Sequence, residues 1–287
     1  MWQVRKLADE GTSEPYIARL WVGAFELRDM LLQHLARGHS DFETRRTHFD
    51  ERYQPVLNAL DSARKHARAI QALLSEHKMK VSSGAIVTRQ QNAIEINETI
   101  TLKLQEQMAA FLSASVRAAK LVQVLLLYFD LNIGFLFQQQ PKFAAASESL
   151  RAAGDSDLAG YLERTRSGWL EALTKRRHAL EHKGWCVPDV HYIAQSDGSV
   201  LVVEPDIDCR PISEFVSTTI DRLLGFIEDM LAVAVQRGIK DIGDLIDIPK
   251  EKRDPANAKR FRLGIPALQP GERFWRLRYT DYGFYGS

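Results

Sequence analysis

The chain has 287 residues, 45% of them hydrophobic, and its 38 lysines and arginines against 37 acidic residues leave a formal charge of +1. That is enough for one large domain or two small ones with a substantial core. The near-neutral balance excludes a protein that coats nucleic acid by overall charge, so any such contact has to come from a local patch.

The N-terminal "MWQVRKLADEG" has no apolar run of the kind a secretory signal needs, which points to the cytoplasm. The only cysteines, Cys186 and Cys209, allow no disulfide framework or cysteine-rich zinc module and fit a reducing compartment. The first expected helix covers about 13–37. Ser13 caps it, Pro15 suits its first turn, Gly38 ends it, and Ile17, Leu20, Trp21, Ala24, Leu27, Leu31 and Leu35 recur at helical spacing. A charged helical stretch follows at about 41–77, with Leu57, Leu60, Ile70, Leu73 and Leu74 on one face and a kink or break expected before Pro55. "MKVSSGAI", around Gly84, reads as a loop.

A long helix is expected at 87–139, ending before Pro141, then a short one at 142–153 ending at Gly154. Its apolar part, 121–137, is interrupted by Gln123, Asp130 and Asn132 and is short for a membrane span of about 20 residues. It reads as a buried bundle helix, with no membrane partner. The next helix, 155–183, has the stripe Leu158, Leu162, Trp169, Leu173 and Leu180, with Gly184 as its terminator. "HYIAQSDGSVLVVEP" then holds two β-rich runs about Asp197-Gly198, a hairpin over about 190–204. Pairing is expected to end at Pro188 and Pro205, leaving Cys186 and Cys209 as buried or semi-exposed free thiols. A last long helix, 212–237, carries Ile212, Phe215, Ile220, Leu223, Ile227, Met230, Leu231 and Ala234, and Gly238 closes it. Beyond it "DIGDLIDIPKEKRDPANAKR" reads as a connector, and "RFRLGIPAL" and "RFWRLRY" as short strands.

The expected fold is therefore mainly α: an up-and-down helical bundle over 1–238 with an inserted β-hairpin, and a small partly β appendage at 239–287. The chain carries no phosphate-binding loop or G-x-G-x-x-G fingerprint, which disfavours nucleotide hydrolysis.

The chemistry-bearing stretch is "TKRRHALEHKGW", 174–185. Arg177 lies four residues after Leu173 and three before Leu180, so it borders the buried stripe, and an inward arginine needs a carboxylate, a carbonyl or a phosphate. Arg176 borders the stripe on its other side. His178 and His182, four apart, share a face, as do Arg177 and Glu181. Arg177 and His182 are five apart, about 140° around an α-helix, and do not meet on a straight one.

Arg177-His178-Ala179-Leu180-Glu181-His182 resembles the signature of the HEPN superfamily of all-helical ribonucleases and RNA-binding domains: an arginine, a polar residue, and a histidine a few positions on. The resemblance implies a helical bundle that acts as a metal-independent endoribonuclease, without a cofactor. His182 would be the acid–base group and Arg177 the phosphate clamp, with His178, Glu181 and Arg176 auxiliary to them. It also implies a homodimer whose two motifs share one cleft, RNA as substrate, a toxin–antitoxin or antiviral-defence setting, and a cognate antitoxin or inhibitor protein. Histidine suits the proton transfer because it titrates near neutrality, and arginine suits the charge developing on phosphate oxygens.

Three other readings stand beside it. The same residues in a non-catalytic bundle would bind RNA or a protein. His178, Glu181 and His182 also match the H-x-x-E-H pattern of zinc peptidases, for which Glu204, Glu214 and Glu228 are the candidate third ligands. A plain structural reading makes Arg177–Glu181 a surface pair and the histidines helix-end cations. In the tail, Arg260, Arg262, Arg273, Arg276 and Arg278 alternate with aromatics such as Trp275, a weak sign of single-stranded RNA binding or of a hairpin with an arginine face.

Overall fold

The computed structural model describes residues 42–239, 244–247, 250–252 and 261–264, and among these it has six α-helices, four short antiparallel strand pairs, three 3-10 turns and one π-turn. The protein is mainly α-helical with a β-hairpin inserted before its last long helix, as the sequence pattern indicates. The described residues fall into two compact units, one holding 55–121 and 134–223, the other 122–133 with the residues before 55 and after 223. The expected helix at 13–37 and the second tail strand lie outside the described residues.

Helix α1, Phe42–Ser82, runs through Pro55 without ending, against the break expected there. A proline removes one backbone donor and crowds the preceding turn. Here the flanking turns are held by burial on both sides, with Phe49, Tyr53, Val56, Leu57 and Leu60 all withdrawn from solvent. The helix is terminated at Gly84, which takes φ +77°.

A second difference follows directly. Residues 87–96 form a hairpin, β1 (Val87–Arg89) and β2 (Ile94–Ile96), in which Val87 pairs with Ile96 and Arg89 with Ile94. The expected long helix therefore begins only at Thr101. Val87, Thr88, Ile94 and Ile96 are β-branched residues on either side of the polar turn Gln90-Gln91-Asn92, a strand signal that overrides the helical one. Helix α2 covers Thr101–Leu126 and stops short of 139. A single 3-10 turn, Leu127–Phe129, leads to Asp130, which takes the left-handed conformation at φ 55°, and a further 3-10 turn follows at Gly134–Phe137. Asp130 is exposed there and faces no apolar helix interior. By length and composition the stretch Thr101–Phe129 would pass for a membrane span, but half of its apolar window is buried inside the protein.

Helix α3, Gln140–Ala152, carries Pro141 in its first turn, and Gly154 follows it at φ +90°. The expected helix 155–183 is three pieces. Helix α4 spans Ser156–Thr165, a π-turn spans Arg166–Leu170, and helix α5 spans Glu171–His182. In the π-turn the Glu171 N–H donates to the Arg166 carbonyl five residues back, so one residue more than an α-turn is accommodated. Leu158, Leu162 and Leu173 of the expected stripe are buried, and Trp169 and Leu180 pack partly buried against the core. The added residue brings Arg166 and Leu170 inward as well.

Strands β3 (His191–Ala194) and β4 (Val200–Val203) make the expected hairpin, with His191 opposite Val203 and Ala194 opposite Val200. Gly198 sits at φ +83°, and the Asp197 carboxylate accepts the Ser199 N–H at 2.8 Å. A two-residue pair, β5 (Asp206–Ile207) and β6 (Arg210–Pro211), leads into helix α6, Ile212–Ile239. All eight apolar positions predicted for that helix are buried. The stretch expected to be a connector contains β7, Asp244–Asp247, which pairs with β8, Phe261–Gly264, and a 3-10 turn at Lys250–Lys252. Leu245 and Ile246 are adjacent between Asp244 and Asp247, so this strand carries no period-2 signal to stand out against so many charges.

The core of the larger unit gathers Ala63, Ile70 and Leu74 of α1, Leu104, Met108, Phe111 and Leu112 of α2, Leu173 of α5, Val187, Val202 and Ile207, and Ile212 to Ile220 of α6. Phe111 and Phe215 meet edge to face at 6.4 Å between ring centres, an arrangement favoured by the ring quadrupoles. In the other unit Phe49 packs on Tyr53, Tyr128 and Phe129. Burial, with the Glu228 charge second, pushes the Tyr53 hydroxyl pKa well above its ordinary value.

Candidate functional site

Helix α5 ends at His182. Lys183 leaves helical geometry, and Gly184 takes φ +65°. The chain then folds back, with the N–H groups of Lys183 and Trp185 both donating to the Ala179 carbonyl at 2.9 and 3.2 Å. This return is tied to α2: the Gln105 side chain accepts the Val187 N–H at 2.6 Å and donates to the Trp185 carbonyl at 3.5 Å. A little over two turns further along α2, Ser113 donates to the Glu181 carboxylate at 3.5 Å.

Within the motif, the Arg177 guanidinium lies 2.8 Å from Glu181 Oε1, the i,i+4 pair expected from spacing. Glu181 Oε2 lies 3.8 Å from His182 Nε2, an electrostatic contact beyond hydrogen-bond length. Arg177 and His182 thus do not touch each other directly, and both approach the same carboxylate. The rings of His178 and His182 stand 4.7 Å apart at 53°. His182 is open to solvent, its side chain 62% exposed.

Arg176 points elsewhere. It is ion-paired to Asp208 at the tip of the β5–β6 hairpin, and its guanidinium lies over the Trp185 ring at 4.9 Å. Asp208 and Cys209 both take left-handed φ values, 53° and 59°. Two successive positive φ values make the turn type that favours Asn-Gly, and neither residue is glycine. Such outliers cost of order 1 kcal/mol each and persist where surroundings over-determine them. The Arg176–Asp208 pair is one such constraint.

The Nε atoms of Arg176 and Arg177 are buried and have no hydrogen-bond partner within the protein. Both forks therefore keep donor capacity beyond their carboxylates. Behind the motif, Arg166 of the π-turn is buried, stacks on Phe143 at 4.4 Å and donates to the Leu136 carbonyl at 3.3 Å.

The zinc arrangement finds no third ligand among the described residues. Among the described residues no three His, Cys, Asp or Glu side chains gather closely enough to hold a metal ion. Glu204 is occupied by Lys78 at 2.7 Å and by the Ser213 N–H at 3.1 Å, and these bonds outweigh burial and hold its carboxyl below the usual range. Glu228 is buried on α6 outside the motif's unit. Glu214 lies in the first turn of α6 and is part of no such cluster.

Of the tail residues, Arg262 lies on β8 opposite Ile246, with only its backbone described. Arg260, Arg273, Trp275, Arg276 and Arg278 lie outside the described residues. Asp208, Gln105, Ser113 and Trp185 are the contributors that sequence reasoning did not single out. Cys186 and Cys209 are free, as expected, but both are exposed rather than buried or semi-exposed.

No protein-family model matches the chain, and no curated protein or solved structure matches it either.

Proposed function

We propose that the protein is a HEPN-type, metal-independent endoribonuclease whose site is the end of α5. The observation that supports the reading is the convergence of Arg177 and His182 on the Glu181 carboxylate at an exposed helix end. The straight-helix separation of about 140° is reduced in effect because His182 is the last helical residue and its neighbour's carboxylate reaches both groups.

In this reading a ribose 2′-hydroxyl attacks the adjacent phosphorus. His182 takes the hydroxyl proton, and a cyclic phosphate forms as the 5′-oxygen leaves with a proton. Arg177 donates to the non-bridging oxygens as charge grows on them, using the donors that Glu181 leaves free. Glu181 orients the Arg177 fork, and Ser113 steadies that carboxylate from α2. His178, ring to ring with His182, is placed to exchange the second proton. A homodimer would bring a second motif to the same RNA, and a cognate inhibitor would cover it; the toxin or antiviral-defence setting belongs to this proposal.

The non-catalytic RNA- or protein-binding bundle is favoured by one observation. Arg177 and Glu181 form an ordinary i,i+4 pair that needs no substrate to explain it.

The test is incubation with single-stranded and transfer RNA in excess EDTA. Cleavage by the wild type, with at least a hundredfold loss in His182→Ala and Arg177→Ala, is the expected result. Equal behaviour of all three proteins, or cleavage only after zinc is restored, overturns it.

A further inference from the structure

A cavity of about 470 Å³ lies between the β1–β2 and β3–β4 hairpins, both of them within the larger unit. That is a usual size for a small-molecule site. The strand registers supply its apolar walls. Ile94 and Ile96, two residues apart, share a face of β2. Tyr192 and Ala194 share a face of β3, and Val200 stands opposite Ala194 on β4. The turn Gln90-Gln91-Asn92 supplies the polar part of the lining.

Both hairpins are held in place around the cavity. Arg89 donates to the Gly198 carbonyl at 2.8 Å, which ties the end of one hairpin to the turn of the other. The Tyr192 hydroxyl shares a 2.7 Å hydrogen bond with the buried His77 ring, so the phenol is anchored at its tip while 37% of the residue stays open. Gln90 is engaged with the Glu95 carboxylate at 3.0 Å. The amides of Gln91 and Asn92 are exposed and bond to nothing else among the described residues. No residue that lines the cavity is charged.

Such a lining suits a neutral, flat ligand with hydrogen-bonding edges. A phenol ring and branched aliphatic side chains pack against the faces of a nucleobase. A carboxamide offers one donor and one acceptor side by side. Adenine presents the complementary pair, its N6 amino group and N7, whereas guanine presents two acceptors there. With no charge in the lining, recognition falls on the base rather than on phosphate.

We propose that this cavity is an adenine-binding site, with Tyr192 as the stacking platform and the Gln91 and Asn92 amides reading the edge of the base. The adenine belongs either to a free nucleoside or to a base splayed out of single-stranded RNA. The site shares no residue with the α5 motif and does not rest on the ribonuclease reading.

The test is calorimetric titration with adenosine, beside fluorescence anisotropy of a labelled oligoadenylate. The protein is the full chain carrying His182→Ala, so that no cleavage complicates the second arm. Adenosine affinity should fall roughly tenfold in the Gln91→Ala, Asn92→Ala double variant and by a similar factor in Tyr192→Leu. Inosine, which has a carbonyl in place of the amino group, should bind more weakly than adenosine. Oligoadenylate binding with the same losses, in a protein that ignores adenosine, supports the site and assigns it to RNA. Leu102→Ala, on the exposed face of α2, should change neither probe. Tyr192→Leu also loses the bond to His77, so the double variant, confined to an exposed turn, is the independent arm, with circular dichroism as the check on folding. Full affinity in the double variant, equal binding of inosine, or no binding of either probe overturns the site. The ribonuclease reading is decided separately, by cleavage in EDTA.

Discussion

One carboxylate oxygen of Glu181 lies 2.8 Å from the Arg177 guanidinium, so the arginine offered to a phosphate is already partly neutralised. An i,i+4 pair of this kind contributes only about 0.2–0.5 kcal/mol. Glu181→Gln keeps a hydrogen-bond acceptor and removes the charge. Its thermal stability should change by less than about 0.5 kcal/mol, while oligouridylate affinity at low salt should rise. Affinity that falls in the variant would place the carboxylate in direct support of binding.

The His77 ring, 1% exposed, shares a hydrogen bond of 2.7 Å with the Tyr192 hydroxyl, linking α1 to β3. Its other nitrogen is buried without a partner. Burial, partly opposed by Glu98 and reinforced by Lys80, holds the His77 pKa below the ordinary 6.5. The unfolded chain takes up that proton at about 6.5 and the folded chain only at lower pH. Stability is thus constant above about 6.5 and declines as pH falls from there toward the lowered value. Urea unfolding across this window should show the decline in the wild type and lose it in His77→Leu. Tyr192→Phe should cost roughly 1–3 kcal/mol, because it leaves the buried ring wholly unpartnered.

Core and surface apolar residues on α2 should separate sharply. Phe111 is fully buried and packed on Phe215, so Phe111→Ala should cost about 3–5 kcal/mol. Leu102, on the same helix, is 75% exposed, and Leu102→Ala should stay within about 0.5 kcal/mol. Denaturant midpoints measure both, and similar losses would contradict the assignment of α2's buried face.

The Asp208-Cys209 turn offers a stabilising change. Cys209 sits at φ 59°, and Cys209→Gly should gain roughly 1 kcal/mol by relieving a left-handed side chain. The midpoint should rise with an unchanged denaturant slope. A loss would mean that the thiol has contacts that outweigh the strain.

What the sequence made legible was whatever is periodic and local. The α6 stripe, the Asp197-Gly198 hairpin and the helix end at Gly154 each depend on residues within a turn or two. The Arg177–Glu181 pair and the shared face of His178 and His182 were legible for the same reason. The β1–β2 hairpin was hidden because its strands are three residues each and adjoin a strongly helical run. Helix α1 passes Pro55 because burial on both sides outweighs the local penalty. The partners of the motif were illegible in principle. Asp208, Ser113 and Gln105 reach it across 32, 68 and 80 positions of sequence, and no local pattern encodes such meetings.

The wide turn at Arg166–Leu170 works as a phase setter. Were the same residues wound as plain α-helix, α5 would follow α4 with every later side chain rotated by about 100°. Arg176 would swing away from Asp208, and Glu181 from Ser113. Collapse of the wide turn to α geometry would therefore re-aim the whole cluster without altering one of its letters.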